Sequence, residues 1–284
     1  MKGLRLNTRQ IKIRDMIIAY IIIFISLCFF ILPMIWIFYC SFRTQESIYT
    51  GKIISSLQSF TFNNYIRIMS VTDFPRYFVN SIKISSLVTI LSLIISISGA
   101  YGLSRYDIKG KKVVILGIFS TQMFPHVLLL IPLFLVVFSL NLMDNILGIV
   151  LTQLILVLPF CLWMLKGYFD TIPIDLDDAA EIDGSNLLQQ LIYVILPIAA
   201  PGIMVVAFYS FVVSWSDYLI VSVISQSQNT ATLTLIMKRL SSSLLIRWGQ
   251  VCAVTTLTII PTLIIFTFVQ KRLIKGLTAG ALKE

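Results

Sequence analysis

Six long apolar runs, separated by short polar or basic segments, set the pattern of this chain. They cover about 16–42, 77–101, 113–138, 146–165, 198–220 and 251–269, each near the roughly 20 residues with which a helix crosses a bilayer. The expected fold is an all-α membrane protein of six transmembrane helices. Pro33 falls inside the first run, where Trp36 and Tyr39 suit an interfacial aromatic belt. In the second run Ser92, Ser96 and Ala100 recur every four residues, so they share a helical face that another helix can approach closely. The third carries Gln122, Pro125, His126 and Pro132 and is the most polar and most interrupted. Its prolines free backbone carbonyls, which is tolerated at membrane depth where they face protein or a wet cavity.

Charge orients these runs. Lys2, Arg5, Arg9, Lys12 and Arg14 precede the first, Arg105, Lys109, Lys111 and Lys112 separate the second from the third, and Lys271, Arg272, Lys275 and Lys283 follow the last. By the positive-inside rule these segments, and both termini with them, belong in the cytoplasm. The expected plan is a cytoplasmic N-terminus at 1–15, one six-helix transmembrane domain at 16–272 and a cytoplasmic tail at 273–284. Segments 43–76 and 225–248 then lie outside, the first ordered by Phe60, Phe62 and Tyr65.

Composition agrees, with 57% hydrophobic residues, 12% charged residues and a mean hydropathy of +0.92, far from the balance of a soluble domain. The net charge of +9 is scattered along the flanks of apolar runs, so it reads as orientation in the lipid bilayer and not as a nucleic-acid surface. Cys28, Cys40, Cys161 and Cys252 lie in or beside apolar runs without metal-ligand spacing, and read as small packing residues. The chain has no glycine-rich phosphate loop ending in Lys-Ser or Lys-Thr, no nucleophile elbow and no paired intramembrane carboxylates.

One cytoplasmic segment departs from the pattern. Asp170, Asp175, Asp177, Asp178, Glu181 and Asp183 place six of the thirteen acids within 170–183. Anionic lipid repels such a cluster, so something other than lipid should face it. Pro173 and Asp175 are expected to start a helix there, with Asp175 as its cap, Asp178 in its first turn and the acids at the positive end of the dipole. Gly184 ends it, and Ser185 caps a second helix through Leu187, Leu188, Leu191 and Ile192. The expected result is a two-helix elbow over about 173–192 beneath the membrane, with an acidic rim around a low ridge at Ala179 and Ala180.

Asp178, Ala179 and Ala180, three residues, Gly184, nine residues, then Val194, Ile195, Leu196 and Pro197 is similar to the Glu-Ala-Ala signature of permease subunits of ATP-binding cassette importers. Asp178 stands for Glu and Val194 for Ile. The tail at 270–283 resembles that of the carbohydrate-type branch, the maltose-permease second subunit and its relatives, and Trp215, Ser216 and Asp217 resemble its Trp-Asn-Asp, with Ser216 departing. The resemblance implies a heterodimeric pore with a homologous permease subunit, two ATP-binding cassette ATPase subunits beneath it and an extracytoplasmic solute-binding protein above. It implies that about 175–190 are coupling helices seated in an ATPase groove, through Asp178, Ala179, Ala180, Glu181, Asp183, Gly184, Leu187 and Pro197. ATP and Mg are then bound by the partner ATPases, with no cofactor on this chain. The implied cargo is a sugar or oligosaccharide, while a glycerol phosphate or polyol-type solute fits the same motifs.

Gln122, His126, Tyr209 and Ser210 are the candidates for a substrate pathway if the third and fifth helices line it. Each fits packing as well, and His126 has no apparent acidic partner. A proton- or sodium-driven carrier calls for several ionisable residues in mid-span and for inverted repeats; this chain offers His126 and no repeat.

Overall fold

The computed structural model describes residues 8–51, 59–71, 73–241 and 246–281; Lys2, Arg5 and Lys283 of the charge pattern lie outside them. The helices are α1 Thr8–Ser41, α2 Gln45–Tyr49, α3 Asn63–Val71, α4 Phe74–Arg105, α5 Lys111–Gln122, α6 His126–Ser139, α7 Ile146–Phe169, α8 Asp175–Ile182, α9 Leu187–Gln189, α10 Leu196–Ser216, α11 Leu219–Ile224, α12 Leu233–Ser241 and α13 Trp248–Ala281. Among the described residues five helical stretches are long and apolar enough to cross a membrane, or six if α5 and α6 form one span. The chain is thus the expected multi-span helical protein. α1 buries none of its most apolar window, and Phe24, Phe29 and Phe30 are 66–73% exposed. A helix apolar on every side and unburied within its own chain is built for lipid or another subunit.

Contacts divide the chain into two units. The first comprises residues 1–70 and 240–257. In it Phe42 gathers Phe60, Phe62 and Tyr65 at ring separations of 5.1–5.4 Å, which packs the described part of the segment after α1 around its aromatic residues; residues 52–58 and 72 of that expected ordered segment lie outside the described residues. Arg43 is also buried, with its guanidinium 4.3 Å from the Tyr39 ring centre. Asn64 of α3 donates to the carbonyls of Ser41 and Arg43 at 2.8 and 2.9 Å, satisfying backbone groups freed where α1 ends.

The second unit comprises residues 71–239 and 258–284, and its core is the packing of α4, α7 and α10. Ser92, Ser96 and Ala100 are each 0% exposed there, so the small-residue face of α4 does admit its neighbours closely. Cys161 of α7 is also fully buried. Gly202 of α10 lies against the Tyr168 ring of α7, where a Cβ would come within 2.6 Å. Gly202→Val should therefore force the two helices apart and lower stability by about 1–3 kcal/mol. Thermal unfolding of the purified protein in detergent reads this directly, and an unchanged midpoint contradicts the close packing.

Two expected spans differ. The run at 113–138 is not one helix: α5 and α6 meet at 101°, with Met123, Phe124 and Pro125 between them. Pro125 has no N–H to continue the ladder, and its ring drives Phe124 away from helical angles, so the apolar pattern persists while the axis turns. The run at 198–220 also divides, because α10 stops at Ser216, Asp217 is extended at φ −68° and ψ 127°, and α11 restarts at Leu219.

Candidate functional site

The acidic segment folds as an elbow at the inner end of α7, with three changes from the expected form. Asp175 is the first residue of α8 and not its cap; Ile174 occupies the cap position, without a side-chain hydrogen bond. Asp175, Asp177 and Asp178 instead fill the first turn, where the helix dipole favours carboxylates. Gly184 closes α8 at φ +81°, with the Gly184 N–H donating to Glu181 O and the Ser185 N–H to Ala180 O at 2.9 and 3.0 Å. This paired pattern satisfies the last carbonyls of α8 and requires a left-handed residue at position 184.

Asn186, not Ser185, caps the next helical stretch: its Oδ1 accepts from the Gln189 N–H while Gln189 Oε1 accepts from the Asn186 N–H. Nor is there a separate second helix. The chain is helical without a break over Leu187–Ser216, and Gln190–Ile195 widen to i→i+5 spacing just before Pro197. Pro197 and Pro201 lack the N–H groups of regular turns, and the wider turn absorbs the mismatch.

The elbow sorts its acids into two groups. Asp177 is pulled inward, its Oδ2 ion-paired with Arg105 Nε at 2.8 Å and its Oδ1 accepting from Tyr101 OH at 2.7 Å. Arg105 also donates to Phe169 O, so one guanidinium ties together the ends of α4 and α7 and the start of α8. Asp170 accepts from Ser104 and Lys166. Burial raises its carboxyl pKa, but these hydrogen bonds and the Lys166 and Lys111 charges outweigh that and hold it below the usual range. The other group, Asp175, Asp178, Glu181 and Asp183, is exposed, as are Ala179, Gly184 and Leu187, whereas Ala180 is buried. Ile182 stands between Glu181 and Asp183, and Ile174, Leu187 and Leu188 flank the acids in sequence, all at 52–87% exposure. Pro197 belongs to α10, beyond the elbow proper.

The pathway candidates part company. Gln122 lines a cavity of about 160 Å³ with Phe119, Pro159, Phe160 and Trp163, and its Nε2 donates to Leu156 O at 3.2 Å. The Tyr209 ring packs against Phe160, tilted by 34° at 4.1 Å between ring centres, so Gln122 and Tyr209 both neighbour Phe160. Ser210 is 0% exposed and donates back to Val206 O within α10. His126 is exposed at the start of α6.

At the opposite end two acids act as clamps: Asp217, which the sequence marked only through its motif, and Asp144, which it did not mark. Asp217, the extended residue after α10, accepts from Gln153 Nε2 at 3.1 Å, and Gln153 Oε1 in turn accepts from Ser214. Asp144, at φ +52° in the turn before α7, accepts from the N–H groups of Gln226 and Ser227 at 3.0 Å and from the Thr230 hydroxyl. Burial pushes its carboxyl up, but the hydrogen bonds from Ser227, Thr230 and Gln226 bring it to about 2. Because the folded value lies below the unfolded 3.8, its stabilisation is complete above that pH and is lost as pH falls through 2. Asp144→Ala should speed proteolytic cleavage within 225–230 about tenfold or more, by removing charge-assisted hydrogen bonds that hold the segment closed. Cleavage at the parent rate contradicts that role.

Together these features define a multi-span membrane subunit that presents an unpartnered, acid-rimmed elbow and, among the described residues, has no metal-binding cluster. The chain belongs to the family of binding-protein-dependent transport system inner membrane components, whose sequence profile matches residues 92–279. It is similar to the inner membrane ABC transporter permease protein YcjP of Escherichia coli, 34% identical over 80% of this chain and 81% of that one. It is also similar to the trehalose/maltose transport system permease protein MalG of Thermococcus litoralis, 31% identical over 95% and 97%. Among solved structures, a chain of a bacterial ABC transporter involved in import of the acidic polysaccharide alginate matches with a TM-score of 0.78, at 25% identity over 94% of this chain and 98% of that one.

Proposed function

We propose that the chain is one half of the membrane pore of a saccharide importer, with both termini in the cytoplasm and the elbow as its link to an ATPase. A homologous permease completes the pore, two ATPase subunits bind ATP and Mg and hydrolyse the nucleotide, and an extracytoplasmic binding protein delivers cargo. The observation that carries this reading is the elbow: Ile182, 87% exposed, stands among exposed carboxylates where no described residue covers it. An exposed apolar residue rimmed by charge marks a protein interface more than a lipid-facing surface. Asp178, Ala179, Glu181, Asp183, Gly184 and Leu187 would form the docking face, with Ala180 packing it onto its own chain. The inward pull of Asp177 on Arg105 supports transmission, since it attaches α8 rigidly to α4 and α7.

The trehalose/maltose relative and the alginate importer support a saccharide cargo. Gln122, which lines a cavity with Phe160, and Tyr209, whose ring packs on Phe160, supply the hydrogen-bonding groups and ring faces that a sugar uses in passage. The test is co-purification of this chain with the homologous permease and the ATPases in lipid. ATP hydrolysis that needs all of them, and that Glu181→Lys uncouples from transport, is expected. Uptake that ignores ATP and collapses with an ionophore contradicts it.

A further inference from the structure

The first unit contains a polar cleft of about 290 Å³, near the lower end of the roughly 300–1,000 Å³ typical of small-molecule clefts. Gln250 lines it from the first turn of α13. That residue is only 5% exposed, yet among the described residues its side-chain amide has no hydrogen-bond partner. The amide lines the cleft and is not among the fully buried polar atoms without a partner, so it is available there to bond a ligand.

Arg67 of α3 and Arg247, just before α13, flank the same cleft, both exposed and neither within ion-pair distance of a carboxylate among the described residues. Asn64 has committed both amide hydrogens to the Ser41 and Arg43 carbonyls, which leaves its Oδ1 as an acceptor. Gln45 likewise donates its Nε2 to Ile246 O. Gly249 keeps Asn64 in place, since a Cβ there would come within 2.5 Å of Asn64 Nδ2.

The donor and acceptor pattern selects a chemistry. Two guanidinium groups call for an anion with paired oxygens, and free amide oxygens call for hydroxyl donors. No aromatic ring lines the cleft, so a neutral sugar has no face to stack on. We infer that this cleft is an entry site for a saccharide bearing a carboxylate, a uronic acid, met before passage through the membrane. The inference rests on the importer reading and on the orientation that places this end of α1 outside.

The test uses the assembled transporter in lipid nanodiscs without its binding protein, titrated with glucuronate and, as controls, glucose and acetate. Glucuronate should bind about tenfold or more tightly than either control. Arg67→Gln and Arg247→Gln alter exposed side chains, and each should weaken it about tenfold, the scale of one charge-assisted hydrogen bond. Gln250→Leu should erase much of the preference for glucuronate over acetate.

Equal binding of glucuronate and glucose, or glucuronate affinity that survives loss of both arginines, overturns the inference. So does an arginine effect confined to association of the binding protein, which would make the pair a protein-docking contact. ATP-stimulated turnover of the same preparations with binding protein added reports the importer reading separately. Absent glucuronate binding with turnover intact rejects the cleft alone.

Discussion

Gly184→Val is expected to reduce ATP-driven uptake about tenfold or more while leaving the membrane helices assembled. Position 184 sits at φ +81°, where a β-branched residue is strained, and there is open space around it, so the effect comes from the backbone and not from a clash. The strain of about 1–2 kcal/mol falls on a turn whose two hydrogen bonds close α8. Relieving it re-aims α8, and with it Glu181 and Ile182, away from the docking direction. Gly184→Asn, which tolerates the left-handed region better, should retain most of the uptake. Uptake and ATP hydrolysis measured in the same proteoliposomes separate uncoupling from loss of assembly, and equal activity of the valine variant and the parent rejects the geometry.

This turn was legible before the structure, and so were the spans, because glycine after an acidic helix and long apolar runs are local signals. The buried face of Ser92, Ser96 and Ala100 was legible for the same reason, as a helical period in small residues. The cap was misplaced by one residue because Ser185 and Asn186 are both capping types. Gln189, three residues after Asn186, completes the reciprocal pair and was the available signal. Hydropathy does not register direction, so the 101° turn at Pro125 was hidden within a single apolar run. Tyr209 and Ser210 are consecutive on one helix and so point about 100° apart, which turns Ser210 into the packed core. The pairing of Arg105 with Asp177 had no local signature at all, since it joins the end of α4 to a helix 72 positions later.

That pair supports the second large expected effect. Arg105→Ala leaves Asp177, with its side chain 12% exposed, as an uncompensated carboxylate beside Tyr101. Breaking a buried pair from one side costs about 3–5 kcal/mol, and here the loss also frees α8 from α4 and α7. The variant should unfold at a lower temperature in detergent and hydrolyse ATP without matching uptake. Arg105→Ala combined with Asp177→Ala should recover much of the thermal stability, because no charge remains stranded, but not the coupling, because the tie is gone. A double variant no more stable than Arg105→Ala would show that the arginine acts through its bond to Phe169 O or through packing.

The central claim, that the elbow seats on an ATPase subunit, is tested most directly from its most exposed apolar position. A photo-crosslinking amino acid in place of Ile182, 87% exposed at the end of α8, would be activated in the fully assembled transporter in lipid. The account predicts covalent capture of an ATPase subunit, weakened when Glu181→Lys is present. Capture of lipid or of the homologous permease alone, with the ATPase still bound to the complex, would contradict it.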